Sequence, residues 1–179
     1  MNRELNCKTL DLTYTALCTA FLAVGAFIKI PSSPIPFTLQ TFFVYFALFF
    51  IGPKKSLVSI AVYLTLGALG LPVFSGFAGG LHVLFGATGG YLFGFLLIPV
   101  VFMVIKTTSF YQKVLACLLS LAICYLFGSL WYAFLYLDGA SSLSGVLLGC
   151  VVPFIIPDFI KISLAWLISD RLLRLTRQK

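Results

Sequence analysis

The stretch "GLPVFSGFAGGLHVLFGATGGY" occupies residues 70–91; it carries seven glycines and no Asp, Glu, Lys or Arg. It is too apolar for an ordinary surface loop and too rich in glycine for a long regular helix. Apolar segments flank it on both sides. Irregular backbone between such segments is tolerated only where it packs against protein or lines a cavity, because unpaired amides cannot face lipid. The stretch therefore predicts a connection that folds back into the outer half of a membrane helix bundle. Discontinuous segments of this kind line substrate sites in transporters.

Composition places the rest of the chain in the same setting. Of 179 residues, 61% are hydrophobic and 9% charged, and the mean hydropathy is +1.10. A soluble domain is about half apolar and about a quarter charged. The expectation is an all-α integral membrane protein forming a single membrane domain over residues 1–179. A polar N-terminus, "MNRELNCKTLD", leads into a full-length apolar segment without a small-residue cleavage site, so no removed signal peptide is expected. The net charge of +7 would suggest nucleic acid for a soluble protein. Here it reads as topology, with the basic residues meeting anionic lipid. The cysteines at 7, 18, 117, 124 and 150 show neither metal nor C-x-x-C spacing and read as small packing residues.

Six apolar segments are predicted, at about 12–30, 37–52, 56–71, 87–106, 112–136 and 148–170. They are separated by "PSSPIP" (31–36), "GPKK" (52–55), the glycine-rich stretch, "KTTSFYQK" (106–113) and "LDGASSLSG" (137–145). Segments 2 and 3 are short; a helix of that length reaches roughly 23 Å against a hydrocarbon core of roughly 30 Å. Arg3, Lys8, Lys54, Lys55, Lys106, Lys113, Arg171, Arg174, Arg177 and Lys179 all fall on one side of a six-helix arrangement. The opposite side holds Lys29 and Asp138. The positive-inside rule then makes both termini cytoplasmic, with loops 1/2 and 3/4 outside, covering a ligand pocket. Trp131, Tyr132 and Tyr136 fall near the outer interface and Trp166 near the inner one.

Four constellations carry candidate chemistry. In "PFIIPDFIKI" (153–162), Asp158 and Lys161 stand at i and i+3 on one helical face, within the outer half of the membrane. Charge at that depth costs on the order of 3 kcal/mol. They form either a structural ion pair or a recognition pair, one accepting hydrogen bonds and the other donating them. Pro157 is expected to start a helical segment at Asp158, setting the carboxylate at the positive end of the dipole. In "PIPFTLQ" (34–40), Phe37 offers an apolar face and Thr38 and Gln40 offer hydrogen bonds; Thr38 as a helix cap is the plain alternative. In the glycine-rich stretch, Phe74, Ser75, Thr88 and Tyr91 are candidate wall residues, against tight backbone packing as the alternative. "GATGG" (86–90) is no phosphate loop, since no Gly-Lys-Ser/Thr follows. His82 is the single histidine, which excludes a multi-histidine metal site. Ser75 with His82 leaves an intramembrane protease as a weak alternative. Ala16 and Ala20, with Ala23 beside them, form a small-xxx-small pattern for close helix approach, internal or with a partner.

Together, "FIKIPSSPIPFTLQTFF", "GLPVFSGFAGGLHVLFGATGGYLFGF" and "PFIIPDFIKI" resemble the BioY family, the biotin-binding S components of energy-coupling factor (ECF) transporters, over roughly residues 12–170. The resemblance implies six matching segments, cytoplasmic termini and a biotin pocket near the outer face under the loops after helices 1 and 3. It implies that the ureido head meets Asp158 and Lys161. It also implies that Ala16 and Ala20 dock a transmembrane coupling subunit resting on two cytoplasmic ATPases. The chain departs from the family pattern at Ala87, where a proline is usual, and at Pro157, where a glycine is usual. An asparagine that helps hold the ureido group in some members has no secure counterpart; His82 is a possible substitute.

The expectation is a high-affinity substrate-capture subunit of a vitamin importer in the bacterial cytoplasmic membrane, multi-pass, with biotin as transported ligand and no cofactor. Phe37 and Phe74 suit the valeryl tail, and Gln40, Thr88 and Tyr91 are rim or wall contacts. Without a nucleotide-binding motif the chain is no ATPase. An S component for another vitamin, such as riboflavin or thiamine, and an intramembrane enzyme are the alternatives.

Overall fold

The structure is a computed structural model and describes residues 2–31, 35–105, 107–136 and 143–177. Lys106, Asp138 and Lys179, used above for topology, lie outside the described residues, as does Pro34. The side chains of Arg3, Lys8 and Arg177 are likewise not described.

In chain order the elements are α1 (Asn2–Phe27), a ribbon of β1 (Lys29–Ile30) and β2 (Phe37–Thr38), α2 (Gln40–Ile51), α3 (Pro53–Ala68), α4 (Leu81–Leu84), α5 (Gly89–Ile105), α6 (Phe110–Tyr136), α7 (Leu143–Cys150) and α8 (Val152–Arg177). The ribbon corrects the all-helical expectation. Pro31 and Pro36 favour extended backbone beside the two strands. The strands then pair Lys29 with Thr38 and Ile30 with Phe37. Consequently the second helix starts at Gln40 rather than 37, and the first ends at Phe27 rather than 30.

Other boundaries moved for local reasons. The first helix begins at Asn2 instead of 12, because polar residues are no obstacle to a helix outside the apolar core. The third occupies Pro53–Ala68 instead of 56–71. Pro53 sits in its first turn, where no amide hydrogen is needed, and Gly70 at φ 98° ends the helical region. The fourth and fifth segments shift by two residues at most. The sixth, expected as 148–170, is two helices broken at Val151. Pro153 has no N–H for the carbonyl of Gly149, and its ring crowds that carbonyl. Pro157 therefore lies inside α8 and does not start it. Asp158 stands in the second turn, beyond the reach of the N-terminal dipole.

Among the described residues, three stretches are long and apolar enough to cross a membrane: Thr9–Phe27, Phe110–Leu135 and Gly145–Thr176; α2 and α5 are shorter apolar helices. The outer surface is apolar to match. Phe134 is 89% exposed and Ile156 72%, which an aqueous surface would tolerate only as isolated residues. The chain is a membrane protein.

Within the bundle, α2 packs against α1, α3 and α8, and α5 against α3 and α6; α6 and α8 are linked through α7. The α5–α6 contact is close because Gly90 and Gly94, one turn apart, face Gly128, Trp131 and Cys124. Buried hydroxyls tie helices together: Tyr45 to Ser120 at 2.9 Å, Thr19 to Ser59 at 3.1 Å, and Ser169 donating to the Phe46 carbonyl at 3.3 Å. One end of the bundle is marked by the Lys55–Asp11 ion pair, by Tyr14 against Phe50, by Phe49 against Phe102 and by Phe110 against Trp166. The basic residues Lys54, Lys55, Lys113, Arg171 and Arg174 lie on these helix ends. The ribbon, α4 and α7 gather at the other end.

Candidate functional site

At the ribbon end, the bundle encloses a cavity of about 260 Å³. Its wall draws on three of the four constellations: Thr38 and Gln40 from the ribbon and α2, Phe74, Ser75 and Thr88 from the glycine-rich connection, Tyr91 from α5, and Asp158 and Lys161 from α8. Lys29, Ile35, Pro36, Thr41, Val83, Leu92, Phe95, Leu121, Cys124, Tyr125, Cys150 and Phe154 complete it.

Asp158 and Lys161 are 2% and 6% exposed. Lys161 Nζ donates to Asp158 Oδ1 at 2.7 Å and to the Thr38 carbonyl at 2.7 Å. It also lies 3.7 Å from the centre of the Phe37 ring, a cation–π contact. Asp158 Oδ2 accepts from the Tyr125 hydroxyl at 2.6 Å. Each carboxylate oxygen thus retains acceptor capacity. A buried charge pair is tolerated when geometry and extra hydrogen bonds satisfy both members, and here three separate elements supply them.

Phe37 does not itself line the cavity. It backs the wall, with its ring stacked on Phe154 at 6.0 Å between centroids. Gln40 is 5% exposed. Its Oε1 accepts from Thr38 Oγ1 at 3.0 Å, and its Nε2 donates to Tyr63 Oη at 2.8 Å. Tyr63 in turn donates to the Val73 carbonyl at 3.1 Å. This chain fastens the start of α2 to the connection after α3. Thr38 also receives the Gln40 amide at 3.4 Å, but the N-cap position of α2 is Leu39, without a side-chain capping bond, so the plain capping reading of Thr38 is not met.

The connection itself is pinned by Gly67, whose carbonyl accepts from the Gly80 amide at 2.7 Å. Gly67 has no side chain because the Phe74 ring occupies that position. Phe74 is 1% exposed and meets Tyr63 edge-on at 5.4 Å between centroids. Tyr91 is held by Ser129 at 3.1 Å. Trp131 donates to the Gly86 carbonyl at 3.1 Å, tying α6 to the connection rather than standing only as an interfacial aromatic.

Two expectations are corrected. His82 is exposed and absent from the cavity wall, so it does not substitute for a ureido-holding asparagine. Ser75 Oγ is buried with no hydrogen-bond partner among the described residues, so no general base activates it and the protease pairing fails. Ala16 and Ala20 are both exposed on α1, which removes the internal-packing alternative and leaves them as an open small-residue face.

Sequence reasoning missed Tyr125 and Lys29 as wall residues. Nothing local distinguishes Tyr125 from other aromatic residues of an apolar helix. Lys29 carried a signal, as a base on the side otherwise poor in charge.

A family model described as the BioY family matches residues 1–178. A protein of Thermotoga maritima described as "Biotin transporter BioY" is 42% identical over 167 residues, covering 92% of this chain and 96% of its own length. One of Pyrococcus horikoshii, described as "Probable biotin transporter BioY", is 38% identical over 165 residues, covering 92% of this chain and 97% of its own. The fold is similar to a solved structure described as the S-component for biotin from an ECF-type ABC transporter, with a TM-score of 0.81, 29% identity and 94% and 93% of the two chains covered. On this evidence, joined to the motifs and the cavity they build, the chain belongs to the BioY family.

Proposed function

We propose that this chain is the substrate-capture subunit of an ECF-type biotin importer: a transporter component, not an enzyme. The observation that carries the reading is the buried Asp158–Lys161 pair on a cavity wall. A purely structural pair would be closed off by packing. Both members of this one line a cavity, and each carboxylate oxygen keeps a free acceptor position.

Biotin's bicyclic head offers two ureido N–H donors and one carbonyl acceptor. Asp158 accepts from a ureido N–H, and Lys161 donates to the ureido oxygen, exchanging its contact with the Phe37 face for a charge-assisted hydrogen bond. Phe74 supplies apolar wall, with Phe37 behind it, and Gln40, Ser75, Thr88 and Tyr91 line the way to the rim. In this reading α1, α2, α3, α5, α6 and α8 span the bacterial cytoplasmic membrane. Both termini are cytoplasmic, and the ribbon and the connection 69–88 cover the pocket outside. The asymmetry of basic residues supports that orientation. The exposed Ala16 and Ala20 dock a transmembrane coupling subunit carried by two cytoplasmic ATPases, which supply the energy for uphill uptake.

The test is calorimetric titration of the purified protein with biotin. Tight binding is expected, falling at least about 100-fold in Asp158→Asn and in Lys161→Ala. Affinities within twofold of wild type in both variants would reject the site. Riboflavin and thiamine are expected not to displace labelled biotin; displacement by either would move the assignment to another vitamin.

A further inference from the structure

Three formally charged side chains line the cavity among the described residues: Lys29, Asp158 and Lys161. Asp158 and Lys161 neutralise each other, so Lys29 leaves the wall with one net positive charge. The ion pairs among the described residues are Lys55–Asp11, Lys161–Asp158 and Arg174–Asp170, and Lys29 is in none of them.

Its position follows from the ribbon. Lys29 pairs directly across from Thr38, and opposite residues of an antiparallel pair present their side chains on one face. The Thr38 side chain lines the cavity, so the lysine stem leaves the ribbon on the cavity side. Its amine ends over Gly76, where a Cβ would stand 3.1 Å from Nζ. Gly76 has φ 76°, a conformation that glycine adopts freely; the same residue thus sets the turn and leaves room for the amine. The residue before it is Ser75, whose buried hydroxyl has no partner among the described residues. A cation without an acid among the described residues and a buried hydroxyl without a partner therefore belong to one short segment of the wall, at positions 75 and 76.

We propose that Lys29 and Ser75 form an anion-recognising end of the cavity and that they bind the carboxylate of the ligand. This rests on the reading of the cavity given under Proposed function and extends it: the pocket selects a monoanion whose polar head is neutral. Asp158 and Lys161 hold the neutral head at one end. Lys29 balances the single negative charge at the other, and Ser75 donates its hydroxyl hydrogen to a carboxylate oxygen. The lysine acts as a point charge at the exposed mouth, so its contribution is to discrimination more than to total affinity.

The experiment compares biotin with its neutral primary amide, by calorimetry, on wild type, Lys29→Gln, Lys29→Arg and Ser75→Ala. Wild type is expected to prefer the acid about tenfold. Lys29→Gln loses that preference by weakening acid binding far more than amide binding and reduces the salt dependence of acid binding; Lys29→Arg restores the preference. Ser75→Ala reduces it severalfold. Equal binding of acid and amide by wild type, or a preference retained in Lys29→Gln, overturns the inference while leaving the ureido site standing. Failure of wild type to bind either compound overturns both readings. Lys29 is exposed, so its replacement tests recognition rather than folding.

Discussion

Lys161 Nζ bridges Asp158 on its own helix and the Thr38 carbonyl on the ribbon, at 2.7 Å to each. One side chain therefore joins the recognition pair to the outer covering of the cavity. Asp158 makes the reciprocal link inward, to Tyr125 of α6. The pair is thus a junction of ribbon, α6 and α8 as well as a candidate ligand site, and its replacement has two separable consequences.

The first concerns stability. Lys161→Met leaves Asp158 as a buried carboxylate whose remaining partner is Tyr125, and breaking a buried pair in this way costs about 3–5 kcal/mol. Adding Asp158→Asn removes the orphaned charge and is expected to recover most of that loss. Thermal unfolding in one detergent checks it: the double variant should melt well above the single, while neither binds biotin. Equal melting of the two would mean that the charge is not confined as the structure has it.

Tyr125→Phe isolates the third member of the cluster. It removes a hydrogen bond to a charged oxygen, worth about 1.5–3 kcal/mol, without altering the ring packing. Biotin affinity should fall about tenfold, and the melting temperature should drop by several degrees with the lost bond. An unchanged dissociation constant would remove Tyr125 from the site.

Gly67→Ala tests the wall formed by the connection. The added methyl would enter the space of the Phe74 ring, and overpacking of this kind costs about 1–3 kcal/mol. Lower thermal stability and weaker biotin binding are expected together. The double variant with Phe74→Leu should regain stability, because the smaller side chain vacates that space. A Gly67→Ala protein as stable as wild type would contradict the packing of Phe74.

Ala16→Leu addresses the open face of α1. Ala16 and Ala20 are exposed, so a larger side chain there is accommodated by the isolated chain. Biotin binding should be unchanged. Copurification with the coupling subunit and ATP-dependent uptake should be lost, because small residues are what permit close helix approach. Retained copurification would place the docking surface elsewhere.

Much of this architecture was legible in residue order. Hydropathy gave the apolar segments, and helical spacing put Asp158 and Lys161 on one face. The glycine-rich connection announced irregular backbone inside an apolar bundle. What was not legible depended on contacts between distant segments. Residues 29–38 could be marked as non-helical from their prolines, but the pairing of Lys29 with Thr38 depends on the two arms meeting. The break at Val151 was readable from Pro153, yet Pro157, equally a proline, sits within α8. Tyr125 looked like any aromatic residue of α6 until α8 brought a carboxylate to it. The Gly90-x-x-x-Gly94 spacing was a usable sign of close packing between α5 and α6 and went unread because the surrounding glycines obscured it.

The sequence by itself determined that the chain belongs in a membrane, where its turns fall and which two charges share a helical face. These follow from composition and from periodicities that act over a few residues. The tertiary structure alone decided that the ribbon, the glycine-rich connection, α6 and α8 enclose one cavity. It also decided that Lys161 is shared between helix and ribbon, and that the exposed Lys29 lines the cavity. Those outcomes depend on the packing of residues more than 100 positions apart, as in the contact of Thr38 with Lys161, which local chemistry does not encode.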